Sequence, residues 1–139
     1  MHAIKRFLAV MGITTVALMA LAPVALAGTS KGFHLDKTCG PDPSEPLGYV
    51  CTIQHADFKW FPAGTKVHYL SQAGNVVQAR IETKNGSTDG ACTWSSAVDA
   101  VCVFGAGSGR LSQFNLEVVV SANADVSVWY WDGTYSFGP

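Results

Sequence analysis

Val76-Val77-Gln78-Ala79-Arg80-Ile81-Glu82-Thr83-Lys84 is the stretch that decides the fold. Side chains on a β-strand alternate between two faces. Val77, Ala79, Ile81 and Thr83 therefore share one face, and Gln78, Arg80, Glu82 and Lys84 share the other. One face is apolar and the other is solvent-like, the pattern of a half-buried strand. Phe114–Ala122 repeats it: Phe114, Leu116, Val118 and Val120 line an apolar side while Asn115 and Glu117 face out. In Thr65–Ser71, Val67 and Tyr69 oppose Lys66 and His68. No part of the chain after residue 27 sustains apolar residues at i, i+3, i+4, i+7. Eight β-branched or aromatic runs recur instead, bounded by Gly, Pro, Asn and Asp. They are Phe33–Lys37, Tyr49–His55, Thr65–Ser71, Val76–Lys84, Gly90–Ser95, Ala100–Phe104, Phe114–Ala122 and Val126–Phe137, the last with a bulge expected near Asp132-Gly133. Connections this short cannot hold crossover helices, so the strands are antiparallel. The expected fold is all-β, an eight-stranded antiparallel β-barrel, with an immunoglobulin-like β-sandwich as the alternative. The partners of the first and last strands decide between them.

The start of the chain reads as an export signal. Lys5 and Arg6 precede an uncharged apolar stretch from Phe7 to Leu21, then Pro23 and the small-x-small exit Ala25-Leu26-Ala27. That order is the order of a secretory signal peptide cleaved after Ala27. The expected organisation is residues 1–27 as signal peptide and residues 28–139 as one β-barrel domain, secreted and with no stable membrane anchor after cleavage. The whole chain of 139 residues is 48% hydrophobic and 14% charged, which excludes a disordered chain. Losing Lys5 and Arg6 moves the net charge from −1 to −3. A nucleic-acid partner is not expected, because it needs a basic face.

Cys39, Cys51, Cys92 and Cys102 follow the signal, an even count that implies disulfides in an oxidising compartment. The expected pairs are Cys39–Cys51, across the turn-rich Gly40-Pro41-Asp42-Pro43-Ser44-Glu45-Pro46, and Cys92–Cys102, across a hairpin tip. Each closes a short loop, worth about 3 kcal/mol in the chain-entropy account. The spacings are not Cys-x-x-Cys, so neither a zinc site nor a redox pair is expected.

Several patterns have plain structural readings. Gly105-Ala106-Gly107-Ser108-Gly109 follows a strand but precedes another strand and lacks Gly-Lys-Ser/Thr, so it reads as a glycine turn. His34 with Asp36, and His55 with Asp57, are i,i+2 pairs on one strand face, suited to a local hydrogen bond or a weak metal site, with a surface histidine beside an acid as the plain reading. No Gly-x-Ser-x-Gly nucleophile motif occurs. The aromatics carry more. Trp129, Tyr130, Trp131, Tyr135 and Phe137 concentrate in the last strand, with Trp60 and Phe61 at a turn. Such clusters line apolar pockets or pack cores.

Phe104-Gly105-Ala106-Gly107-Ser108-Gly109-Arg110-Leu111, followed by the strand Phe114–Val120, resembles the glycine turn and strand of allene oxide cyclase and dirigent-like barrels. Trp131-Asp132-Gly133-Thr134-Tyr135-Ser136-Phe137 is similar to the ending of small secreted bacterial proteins related to that barrel. The resemblance is specific over the last third of the chain. It implies an eight-stranded antiparallel barrel that works without metal or organic cofactor. Plant allene oxide cyclases bind a fatty-acid epoxide in the lumen and steer its cyclisation; dirigent proteins steer the coupling of phenoxy radicals. No catalytic residue is carried over, because the polar lumen residues of those families find no match here.

Three functions follow as expectations. The first is a secreted, disulfide-stapled barrel holding a small hydrophobic ligand, with Tyr69, Phe114, Leu116, Trp129 and Trp131 as contact residues. The second is a cofactor-free isomerase or cyclase using Tyr69, His55 or Asp57, which requires a strongly perturbed titratable group beside a cavity. The third is an extracellular module binding protein or cell-wall polymer through exposed Trp60, Phe61 or Trp129 and Trp131. The volume and lining of the barrel interior separate the three.

Overall fold

The computed structural model describes residues 29–138, so the expected signal peptide lies outside the described residues. Alternating apolar and polar residues build eight strands: β1 (Lys31–Pro41), β2 (Tyr49–Ala56), β3 (Lys66–Ala73), β4 (Val76–Thr83), β5 (Gly86–Trp94), β6 (Ala100–Gly107), β7 (Phe114–Ala122) and β8 (Trp129–Phe137). Each strand pairs antiparallel with the next, and β8 returns to β1 in unbroken register from Lys31↔Tyr135 to Lys37↔Trp129. That last pairing closes the sheet, so the fold is an eight-stranded antiparallel barrel and not a sandwich. Closure leaves no open sheet edge.

The alternation holds on β3, β4 and β7. Val67, Tyr69, Val77, Ala79, Ile81, Phe114, Leu116, Val118 and Val120 are all buried. On the outer face, Arg80 pairs with Asp89 of the neighbouring strand (Nε–Oδ1 2.7 Å). Strand ends are less regular than the sequence suggests. β1 runs on to Pro41, past the expected end at Lys37. β8 begins at Trp129 and not Val126, because the Asn123 Oδ1 accepts hydrogen bonds from the Ser127 and Val128 amides and holds the preceding residues in a turn. The Gly105–Gly109 run closes β6 and enters a single 3-10 turn, Gly109–Leu111, the glycine turn expected.

The bulge expected at Asp132-Gly133 is absent; β8 keeps register there with both neighbours. The register shifts fall instead between Asp36 and Lys37, Tyr69 and Ser71, and Asp89 and Gly90. Gly133 has a different task. A Cβ there would run into the Glu117 carbonyl and the Val118 Cα of β7, so the missing side chain allows β7 and β8 to approach. Gly133→Ala is expected to destabilise the barrel by about 1–3 kcal/mol, the usual cost of overpacking, read as a lower urea midpoint.

Both disulfides join directly paired residues of adjacent strands, Cys39–Cys51 across β1 and β2 and Cys92–Cys102 across β5 and β6. Cys92 and Cys102 are both buried, so their bridge forms part of the barrel's filling, whereas the other bridge joins buried Cys51 to exposed Cys39. Two such bridges fit an oxidising environment.

The two ends of the barrel differ. Residues 57–65, between β2 and β3, turn back on themselves through Phe61 N–H to Phe58 carbonyl and Thr65 N–H to Pro62 carbonyl bonds, and Gly64 N–H ties them to the Ile53 carbonyl. This loop drives Phe58 and Phe61 into the lumen. They pack against Phe33, Phe114 and Tyr135, with ring centroids 4.8–6.3 Å apart. Phe61 is fully buried and so does not belong to an exposed aromatic patch. The aromatic plug seals that end. The loops at the other end are polar and short, and that end is open.

Candidate functional site

The open end leads into a cavity of about 660 Å³. Its rim comes from strand ends and loops: Gly40 and Pro41 of β1, Gly48 and Tyr49, Gln72, Trp94, Ser96, Ala97 and Trp129. Its floor is made of lining residues that are buried, namely Lys37, Cys51, Tyr69 and Val77. Two aromatic pairs form the walls. Tyr49 stacks on Tyr69 with centroids 5.0 Å apart, and Trp94 meets Trp129 edge-on at 5.7 Å. Glu45 binds the His68 ring (Oε1–Nδ1 2.8 Å), which ties the proline-rich loop to β3 beside the mouth.

Lys37 is the unexpected group. It follows Phe33 and Leu35 at every second position of β1, so its side chain points inward with theirs. It is 2% exposed. Its Nζ donates a hydrogen bond to the Tyr69 hydroxyl at 2.9 Å and lies 3.4 Å from the Cys51 sulfur. It also stands over the rings of Trp131, Tyr69 and Trp129, at 5.0, 5.5 and 5.8 Å from their centroids. Among the described residues no carboxylate pairs with it. Desolvation lowers its pKa from 10.5 to about 7, because burial penalises the ammonium and not the amine. The ring faces act the other way and hold what charge remains. Burial also raises the pKa of Tyr69, helped by Tyr49, so the phenol keeps its proton well above neutral pH. The floor therefore offers an amine poised between charge states beside a permanent hydroxyl donor.

The structure divides the five expected contact residues. Tyr69 and Trp129 line the cavity. Trp131 lies beneath it, its ring under Lys37 and against Phe104. Phe114 belongs to the aromatic plug at the far end, and Leu116 is buried core between Phe104 and Tyr135 in register. His55 and Asp57 are exposed on the outside of the barrel and do not reach the lumen. The i,i+2 histidine pairs give way to pairs across strands. His34 Nδ1 meets Asp132 Oδ1, and the His34 amide donates to Asp57. Among the described residues no three His, Cys, Asp or Glu side chains converge.

Lys37 had a signal in the sequence. Phe33-His34-Leu35-Asp36-Lys37 alternates, and the alternation places a cation on the apolar face. Read as the last residue of its strand, Lys37 passes for an exposed end. Because β1 continues to Pro41, it lies in the middle instead. No family model, curated protein or solved structure matches this chain.

Proposed function

We propose that this protein is a secreted barrel that takes a small, largely apolar molecule into its open end. The observation that carries the reading is the asymmetry of the lumen: one end sealed by the Phe33, Phe58, Phe61 and Phe114 plug, the other open over a cavity walled by Tyr49, Tyr69, Trp94 and Trp129. A cavity of about 660 Å³ lies within the range of small-molecule sites, which combine apolar walls with few polar groups. Lys37 and Tyr69 are the polar groups of the floor, and Gln72 and Ser96 add polar groups at the rim. The plugged end keeps the ligand from passing through, so the mouth serves for both entry and exit. The expected export signal and the two disulfides, which suit an oxidising environment, support action outside the cell.

The test is a titration with N-phenyl-1-naphthylamine, a neutral probe whose emission rises in apolar sites. The expected result is saturable binding with quenching of Trp94 and Trp129 emission. Trp129→Ala is expected to weaken the probe about tenfold, a loss of about 1.4 kcal/mol, with little change in urea midpoint because Trp129 is only half-buried. Absence of saturable binding overturns the reading.

One observation favours a second reading, a cofactor-free isomerase or cyclase related to allene oxide cyclase. Such an enzyme requires perturbed titratable groups beside the cavity, and Lys37 and Tyr69 are both perturbed there. Turnover of an epoxide or polyphenol that is lost in both Lys37→Met and Tyr69→Phe supports it over simple carriage.

A further inference from the structure

We propose that Lys37 is a covalent capture site, whose Nζ condenses with an aldehyde or ketone bound in the barrel mouth to form an imine. The inference deepens the ligand-binding reading above and rests on it, since the carbonyl compound must first enter the cavity. Three features of the cavity floor point this way. Lys37, which carries a primary amine, is one of the buried residues lining the floor of an open cavity. No carboxylate among the described residues pairs with it, so its lone pair and protons are not committed to an ion pair. A phenol stands 2.9 Å from it, on the same floor.

The chemistry balances without any further reagent. The Nζ lone pair attacks the carbonyl carbon, and the C=O π pair moves to oxygen. Two amine protons end on that oxygen. The C–O bond then breaks with its electron pair, the oxygen leaves as water, and nitrogen completes the C=N double bond. Nothing is oxidised or reduced. The Tyr69 hydroxyl is placed to give a proton to the carbinolamine oxygen and to regain one from nitrogen. It remains protonated over the whole neutral range, since burial raises its pKa.

Burial supplies the other requirement, a free amine at neutral pH. Desolvation lowers the pKa of Lys37 to about 7, so about half of it is unprotonated at that pH. A surface lysine near 10.4 is almost wholly charged there. Activation of a lysine nucleophile by an apolar pocket is a general route to such adducts. The titratable group in contact with Lys37 is Tyr69, on which Tyr49 stacks; Cys39 and Cys51 are bridged and do not titrate. The apolar walls exclude bulk water from the floor and so disfavour hydrolysis back to the amine. The ligand class is accordingly a compact, unsaturated or aromatic carbonyl compound.

The test uses trans-cinnamaldehyde with sodium cyanoborohydride, which reduces an imine to a stable secondary amine, followed by peptide mass mapping of the full chain. Labelling of Lys37 at pH 7 is expected to be about tenfold faster than at Lys59, Lys66 or Lys84, and saturable in aldehyde. Its rate levels off above pH 8, whereas the surface lysines continue to gain. Lys37→Met and Lys37→Arg both lose the fast adduct, with folding checked by circular dichroism. Tyr69→Phe keeps the lysine and slows its labelling. Cinnamyl alcohol, which cannot form an imine, reads binding alone through tryptophan quenching. Even labelling of all lysines while the alcohol still quenches overturns the covalent site and leaves the ligand-binding reading standing. Even labelling with no quenching overturns both.

Discussion

Lys37→Met is expected to stabilise the barrel at pH 6 by about 1–4 kcal/mol, the gain found when a buried ion pair gives way to well-packed apolar residues, since Lys37 has no acidic partner whose attraction would be lost. Below pH 7 the lysine is charged in both the folded and unfolded chain. The folded state then carries the full cost of keeping an ammonium 2% exposed and without an acidic partner. Between pH 7 and 10.5 the folded chain releases that proton while the unfolded chain keeps it. The unfolded state binds more protons, so stability rises with pH across this window. At about 1.4 kcal/mol per pH unit the rise approaches 5 kcal/mol in total, an upper bound because the three aromatic rings favour the charged form. Tyr49 and Tyr69 act in the opposite sense. Their pKa values are raised, so the unfolded chain loses phenol protons first and stability falls from pH 10 upward. Urea midpoints measured from pH 6 to 10 are expected to rise for the wild type relative to Lys37→Met. A constant difference between the two proteins across that range contradicts the account.

Phe114→Ala is expected to cost about 3–5 kcal/mol, as for a large aromatic removed from a packed core. Phe114 is fully buried, stacks on Phe58 at 5.1 Å and meets Phe61 and Phe137 at 5.5 Å. Its loss opens a hole in the plug that the neighbouring rings, held by β8 and by the hydrogen-bonded turns of residues 57–65, do not fill. The same variant is expected to leave probe affinity in the folded fraction within about twofold, because Phe114 lies at the sealed end and the cavity lies at the other. Trp129→Ala has the reverse profile, with a small effect on midpoint and a large effect on affinity. Loss of probe binding in folded Phe114→Ala places the ligand deep in the lumen and contradicts a site confined to the mouth.

The aromatic residues show how far a linear pattern reaches. The concentration of Trp129, Trp131, Tyr135 and Phe137 in the last strand suggests a pocket or a core, and the barrel makes both from one strand. Trp129 lies at its open end, Tyr135 and Phe137 at its sealed end, and Trp131 between them. Which role each takes depends on its height along the barrel axis, and height depends on pairing with β1 and β7. Phe61 is the sharper case. It sits in a loop beside Trp60, where an exposed platform is a fair expectation, yet the hydrogen bonds of residues 57–65 turn it into the lumen.

Strand number, the face taken by each side chain and the two cysteine pairs are local properties. Alternation and turn residues encode them within a few positions, and cross-strand bridges between neighbouring strands need only the right hairpin. Closure of β8 on β1 is different, because it joins residues 98 positions apart, as in His34 with Asp132. The choice of sealed and open ends, and the meeting of Lys37 with Tyr69 and Trp131, follow from that closure. Those contacts are set by long-range register and by how a curved sheet fills its own interior, and neither leaves a mark in any short stretch of chain.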